Sequence, residues 1–256
     1  MKILVVAGSN PIYKFGNPIF LDLAIQIKKL LLEEHTTSIA VDIWDEKVRN
    51  FTNKRKKNRK FLAFLSQYLM KLYEIAFLQQ KYIRRSKKRH ENFNKNVDIY
   101  SGINSLTFKE ILLQEKFDVI ICLGTSIVKK DILEASDFKF LNFHPGVLPQ
   151  YRGVGNFWAV LNNDFENIGI SLHWMNEKID DGEIISIVKI PKKFKSLWVM
   201  NIMAFEAGVV EIANLINKNQ LFNSNVRPHL PPKYYGWYGL REYLYFKKIL
   251  KKNYEV

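Results

Sequence analysis

The amino-acid sequence predicts an α/β protein: a mostly parallel, Rossmann-like sheet with helices on both faces and a short C-terminal extension. Two patterns carry this expectation. Short apolar runs bounded by turn residues alternate with stretches whose apolar residues recur at helical spacing, the sequence form of a parallel sheet with crossover helices. Two of the runs also end in turn or polar residues, at Gly124 and at Asn142 to His144. In such sheets, sites lie beyond the carboxyl ends of the strands.

Lys2 to Ala7 is a buried-strand run that stops at Gly8-Ser9-Asn10, and Leu21 to Leu32 then follows with helical spacing. Ser38 to Trp44 is the second strand, Phe117 to Leu123 a continuous apolar third, and Phe138 to Phe143 a fourth. Gly169 to Met175 alternates as a strand, and a polar loop leads from it to another strand at Ile184. A helix is expected over Met200 to Asn217. Beyond it, Arg227-Pro228-His229-Leu230-Pro231-Pro232 cannot be helical throughout. The aromatic cluster Lys233 to Tyr238 comes next, then a basic amphipathic tail from Leu240 to Tyr254.

A net charge of +14 over 256 residues suggests nucleic acid until its position is considered. Residues 49–95 hold 15 Lys or Arg against Glu74 and Glu91, a net +13, and the rest of the chain is close to neutral. Within this segment Phe61 to Tyr82 has an apolar face at helical spacing between Lys54–Lys60 and Arg84–Arg89. Such a basic helical insertion either packs on the sheet or on a second subunit, as in a homodimer, or makes peripheral contact with an anionic membrane or with nucleic acid. The charge belongs to one segment and the rest of the chain is near neutral, so a nucleic-acid partner is not expected of the protein as a whole. The opening apolar run is too short for a signal peptide, and no uninterrupted apolar stretch reaches the about 20 residues of a membrane span, so the expected location is cytoplasmic. Cys122, alone of its kind, lies in the apolar run Val119 to Leu123 and reads as a small buried hydrophobe. No ligand set for a metal is evident.

The stretch richest in chemistry is Leu141-Asn142-Phe143-His144-Pro145-Gly146-Val147-Leu148-Pro149-Gln150-Tyr151-Arg152-Gly153. A carboxamide and an imidazole two residues apart at a strand end point the same way if the extended conformation continues. Alone, this pair also fits an ordinary turn, and Ile179-Asp180-Asp181-Gly182 likewise. Together, at this spacing and with Gly169-Ile170-Ser171-Leu172-His173 between them, they resemble the formyltetrahydrofolate-dependent formyltransferase family, most closely its nucleotide-sugar N-formyltransferases. The resemblance is close from about Phe117 to Pro191. It implies the formyltransferase fold, with a catalytic domain over 1–199 carrying the insertion at about 49–95, and a C-terminal helix and aromatic/basic extension over 200–256.

The resemblance further implies that Asn142, His144 and Asp180 are the catalytic Asn, His and Asp, with Asp180 favoured over Asp181. It makes N10-formyltetrahydrofolate the formyl donor. The pterin would lie along Leu123, Gly124, Thr125 and Ile127, facing Ile179 and Asp180. Gly146 departs from the serine common after the His-Pro pair. The residue types suit the reaction: an amine attacks the formyl carbon, Asn142 and protonated His144 donate to the developing oxyanion, and Asp180 holds His144 charged or positions a proton-accepting water. A histidine at position 173 also belongs to the pattern, in a packing or supporting role.

The acceptor expected is a nucleotide-linked amino deoxysugar, a dTDP- or GDP-sugar destined for surface polysaccharide. The methionyl-tRNA enzymes carry a further domain of about a hundred residues, whereas about 56 residues follow Met200 here. Candidate acceptor contacts are Ser9, Asn10 and Lys14 after the first strand, Arg152 in the catalytic loop, Trp158 at the start of a helix lining the acceptor pocket, and Tyr234 and Trp237, which either stack on a base or serve a core or dimer interface. The alternatives are a methionyl-tRNA or other amine formyltransferase, and a membrane- or nucleic-acid-docking protein with a vestigial site.

Overall fold

The computed structural model describes residues 1–8, 17–43, 84, 97–135, 137–191 and 194–254. The expected helix at Phe61 to Tyr82 and its basic flanks lie outside the described residues, apart from Arg84, as do Ser9, Asn10 and Lys14. The chain begins with strand β1 (Lys2–Gly8), helix α1 (Pro18–Leu30), β2 (Thr36–Asp42), β3 (Ile99–Ser101), α2 (Leu106–Glu115), β4 (Val119–Leu123) and the single turn α3 (Lys130–Leu133). There follow β5 (Lys139–His144), β6 (Arg152–Gly153), α4 (Gly155–Leu161), a 3₁₀ turn at Phe165–Asn167, β7 (Gly169–Trp174) and β8 (Ile184–Lys189). The last elements are α5 (Leu197–Asn217), β9 (Tyr234–Tyr235) and α6 (Leu240–Tyr254).

Seven strands form one sheet in the order β3-β2-β1-β4-β5-β7-β8. β1 to β5 run parallel, as expected, and β7 and β8 extend the sheet antiparallel. The period of two sorts side chains to two faces. On one, Ile3, Val5, Ile121, Leu141, Phe143, Ile170 and Leu172 pack with α1 and α5; on the other, Leu4, Val6, Ile120, Cys122 and Phe140 pack with α2 and α3. The chain reverses its winding between β1 and β4, and there Gly8 passes close to Gly124: a Cβ on Gly8 would lie 1.9 Å from the Gly124 carbonyl oxygen. Gly124 itself has φ +61°, the left-handed region open to glycine. The turn after β4 can therefore start directly above the first strand.

α1 begins three residues earlier than the spacing indicates. The Asn17 side chain accepts from Ile19 N at 3.1 Å, and Pro18 occupies the first turn, where its missing N–H costs nothing. The division at 199/200 is corrected. It falls inside α5, whose buried Met200, Phe205, Val209, Ile212 and Ile216 belong to the main core, so the extension begins after Asn217. By length and hydropathy α5 meets the criterion for a membrane-crossing helix, but here it serves as the helix packed against β7 and α1.

β9 pairs with β6 in a separate two-stranded sheet and ties the aromatic segment to the loop after β5. Arg152 N donates to Lys233 O at 3.1 Å, Val154 N to Tyr235 O at 3.1 Å, and Lys233 N to Pro149 O at 3.1 Å. Tyr235 stacks on both Tyr151 and Trp158. The extension thus clasps the loop after β5 from outside.

Candidate active site

Asn142 and His144 occupy alternate positions of β5, so both face the side opposite Leu141 and Phe143. β7 places its own polar residues beside them, with Asn142 opposite His173 and His144 opposite Ser171. Strand alternation in Gly169-Ile170-Ser171-Leu172-His173-Trp174 thus puts every second side chain in the core and Ser171 and His173 in the site. Ser171 donates to Gly146 O at 2.7 Å and accepts from Leu148 N at 2.9 Å, fixing the turn that follows β5. A Cβ on Gly146 would lie 2.8 Å from His144 Nε2 and 2.8 Å from Tyr151 O. Glycine here leaves room for the imidazole.

The hydrogen bonds decide the state of His173. The Trp174 carbonyl, 2.9 Å from Nδ1, can only accept, so the ring proton is on Nδ1. Burial, reinforced by the His144 and Arg152 charges and only partly opposed by Trp174 and Asp180, pushes His173 down to about 4. The ring is therefore neutral near pH 7 and Nε2 accepts. Its partner, 3.1 Å away, is Asn142 Nδ2. One amide hydrogen of Asn142 is consumed in this bond, and the orientation of the carboxamide follows from it.

His144 Nε2 lies 2.6 Å from Tyr151 O, again an obligate acceptor, and Nδ1 lies 3.4 Å from Asp180 Oδ1. In its protonated form the ring donates at both ends. Asp180 Oδ2 accepts from Gly153 N at 2.9 Å, and Oδ1 is 3.8 Å from His173 Nε2. Burial acts to raise the Asp180 pKa, but the His144 hydrogen bond and charge, the Gly153 N–H and the His173 charge outweigh it and hold the carboxyl below its ordinary value. Asp180 reaches this position with φ 52°, a left-handed conformation that aspartate tolerates better than most residues. Gly182 lets the loop press onto β7, where a Cβ would lie 1.6 Å from Trp174 O. Asp181 turns away to pair with the Arg152 guanidinium. The geometry thus separates the two aspartates, with Asp180 beside the histidines.

Asn142, His173 and Asp180 line a pocket of about 200 Å³ with residues 125–128 and 175–179. Of the expected donor contacts, Thr125, Ile127, Ile179 and Asp180 lie on its wall, with Ile127 and Ile179 52% and 42% exposed. Leu123 is instead buried in the core, and Gly124 sits above Gly8 outside the lining. His144 is also absent from the lining. It is buried behind Asp180, so the expectation that it donates directly into the site is not met in this arrangement.

The acceptor candidates divide. Arg152 faces Asp181, with Nε buried. Trp158 is engaged in packing: its Nε1 donates to Gly236 O at 2.9 Å and its ring stacks on Tyr235. Tyr234 and Trp237 are 60% and 66% exposed. Among the described residues no group of three or more His, Cys, Asp or Glu is placed to hold a metal ion.

Sequence reasoning missed Asp42. At the carboxyl end of β2, buried, it accepts from Ile103 N at 2.9 Å and from Ser126 N and Oγ at 2.8 and 2.7 Å, tying the pocket loop to the sheet. A polar residue ending the run Ile39-Ala40-Val41 was the available signal. Asp42→Ala removes the acceptor for a buried amide and a partly buried one, and is expected to cost about 3 kcal/mol and to speed amide exchange at Ile103 and Ser126 at least about tenfold. Unchanged protection at Ser126 would show that the loop is held otherwise. Cys122 nearby is an inert core thiol. Burial pushes it up to about 12, with a Thr125 hydrogen bond opposing and the Asp42 charge adding to the rise.

Residues 75–194 match the family described as formyl transferase. A methionyl-tRNA formyltransferase of Hydrogenobaculum sp. is 35% identical over 106 residues, covering 41% of this chain and 34% of the relative. The matches span less than half the length of the first curated relatives. Among solved structures, a sugar N-formyltransferase from Shewanella sp. shares the fold with TM-score 0.56 and 13% identity, covering 98% of this chain and 88% of the other. An N-formyltransferase from Helicobacter canadensis, solved with folinic acid and dTDP-3-aminofucose, aligns with TM-score 0.51 and 16% identity over 91% of this chain and 70% of the other.

Proposed function

Taking residues 75–194 as a formyl transferase domain, we propose that this protein moves the formyl group of N10-formyltetrahydrofolate to the amine of a nucleotide-linked amino deoxysugar, a dTDP- or GDP-sugar used for surface polysaccharide. The observation that carries the reading is the convergence of Asn142, His173 and Asp180 on one pocket wall, with His144 paired to Asp180 behind it. Exposed Ile127 and Ile179 offer the flat apolar contact a pterin takes, and the backbone of residues 125–128 offers its hydrogen bonds.

The substrate amine attacks the formyl carbon as a neutral nucleophile, and the carbonyl oxygen gains negative charge. Asn142 donates its second amide hydrogen to that oxygen, in an orientation set in advance by His173. Asp180, ionised and next to the pocket, receives the proton that the attacking amine loses, directly or through a water, while His144 stabilises its charge. When the carbon–N10 bond breaks, N10 takes up a proton, leaving tetrahydrofolate and a formamide.

The choice of a sugar is supported by the likeness to a sugar N-formyltransferase structure over nearly the whole chain, including the extension that clasps the loop after β5. Exposed Tyr234 and Trp237 remain the candidate base-stacking surfaces, and Arg152 a candidate phosphate contact that would exchange Asp181 for ligand. A second reading, formylation of methionyl-tRNA, is favoured by the names of the first curated relatives. Incubation with formyl donor and a panel of dTDP- and GDP-linked amino sugars, followed by mass spectrometry, is expected to show one sugar gaining a formyl group. No formylated sugar, together with formylated methionyl-tRNA in a parallel reaction, would replace this reading with the second.

A further inference from the structure

α6 is docked by one face: Tyr243, Phe246, Ile249 and Leu250 are buried in the main core, and Phe246 stacks on Phe157 of α4 with ring centroids 5.0 Å apart. That face accounts for the attachment of the helix. The outer face is not the polar surface that remains on most docked helices. Leu240, Leu244 and Tyr245 are 47%, 59% and 51% exposed, interleaved at helical spacing with exposed Arg241, Lys247, Lys248 and Lys252. The acidic side chain described on this helix is Glu242, which caps the helix start by accepting from Gly239 N at 2.8 Å.

We infer that the outer face of α6 is a docking surface for an anionic lipid bilayer. A helix lying in the interface gains from leucines and aromatics set among cations, the apolar side chains entering the headgroup boundary and the cations meeting lipid phosphates. Other occupants use only half of this surface. A nucleic-acid backbone would meet the cations and leave Leu240 and Leu244 in water, and a second copy apposed through the same face would set cation against cation. The +13 of residues 49–95 supplies a second basic element on the same chain, and two weak signals together hold a protein at a membrane where one gives marginal binding. The surface is independent of the reading of the pocket, so the enzyme would meet its soluble substrates while held at the membrane face.

The test uses the full chain and vesicles of phosphatidylcholine alone or with phosphatidylglycerol, read by co-sedimentation at low and physiological salt. Binding is expected only with phosphatidylglycerol present. It should fall roughly tenfold in the double variant Leu240→Ser/Leu244→Ser and again in Lys247→Glu/Lys248→Glu, with residues 49–95 untouched and formyl transfer in solution unchanged. Unaltered binding by both variants would assign lipid contact to residues 49–95 and overturn the proposal. So would absence of binding by the wild type, or binding of RNA in place of vesicles. Loss of a dimer in Leu240→Ser/Leu244→Ser, seen by sedimentation without any lipid effect, would assign the face to a second copy instead.

Discussion

Asn142→Ala is expected to lower kcat for formyl transfer by about 10²–10³ while KM for donor and acceptor moves little, because the lost hydrogen bond forms only as the carbonyl oxygen gains charge. The carboxamide is half-buried and held by His173 Nε2 in advance of substrate, so its contribution is preorganised. His144→Ala and Asp180→Ala are expected to lose most turnover as well. Since His144 is buried and paired with Asp180, its truncation also leaves a partly buried carboxylate with the Gly153 N–H but without its charge partner, and thermal unfolding should be followed beside the kinetics. Steady-state rates in which Asn142→Ala keeps kcat and raises KM would remove the carboxamide from the transition state. A near-wild-type rate for His144→Ala would remove the imidazole from proton handling.

Acidification should destabilise the protein through His173. Its folded pKa, about 4, lies below the ordinary histidine value of 6.5, so its neutral form favours the fold. The stabilisation is complete above pH 6.5 and is lost as pH falls toward 4, because the unfolded chain binds the proton first. From pH 7 to pH 5 the loss from this one group is about 2 kcal/mol. Asp180 works in the same direction further down: its depressed carboxyl contributes above the ordinary carboxyl range, and the contribution disappears as pH falls through its lowered folded value. His173→Gln keeps a polar side chain without titration. Denaturant unfolding at pH 7 and pH 5 should show a smaller difference for the variant than for wild type, by about that amount; equal differences would mean that His173 does not titrate between them.

The parity of residues along β5 and β7 is legible in the sequence alone, since Asn142 and His144, and Ser171 and His173, fall on alternate positions of apolar strands. Their mutual contact is not, because it depends on an antiparallel register between strands 25 or more residues apart. Asp180 and Asp181 are distinguishable in sequence only through resemblance; in space a left-handed backbone at 180 sends one carboxylate to His144 and the other to Arg152. The strand pattern turns His144 toward the reacting carbonyl, but the Tyr151 carbonyl draws its Nε2 away. Asp42 escapes sequence reasoning because its three donors come from two loops that local pattern does not bring to β2. Trp158 reads as a substrate surface because nothing in the sequence pairs it with Tyr235, which arrives from the extension more than 70 residues away.

The most direct measurement is the fate of a ¹³C-labelled formyl group. Wild-type protein given N10-formyltetrahydrofolate carrying ¹³C in its formyl group, together with a dTDP- or GDP-linked amino sugar, is predicted to move the label into a sugar formamide, with one tetrahydrofolate released per label transferred. Label that stays on folate with every amino sugar and with methionyl-tRNA, while the protein remains folded, would contradict the assignment of formyl transfer to this site.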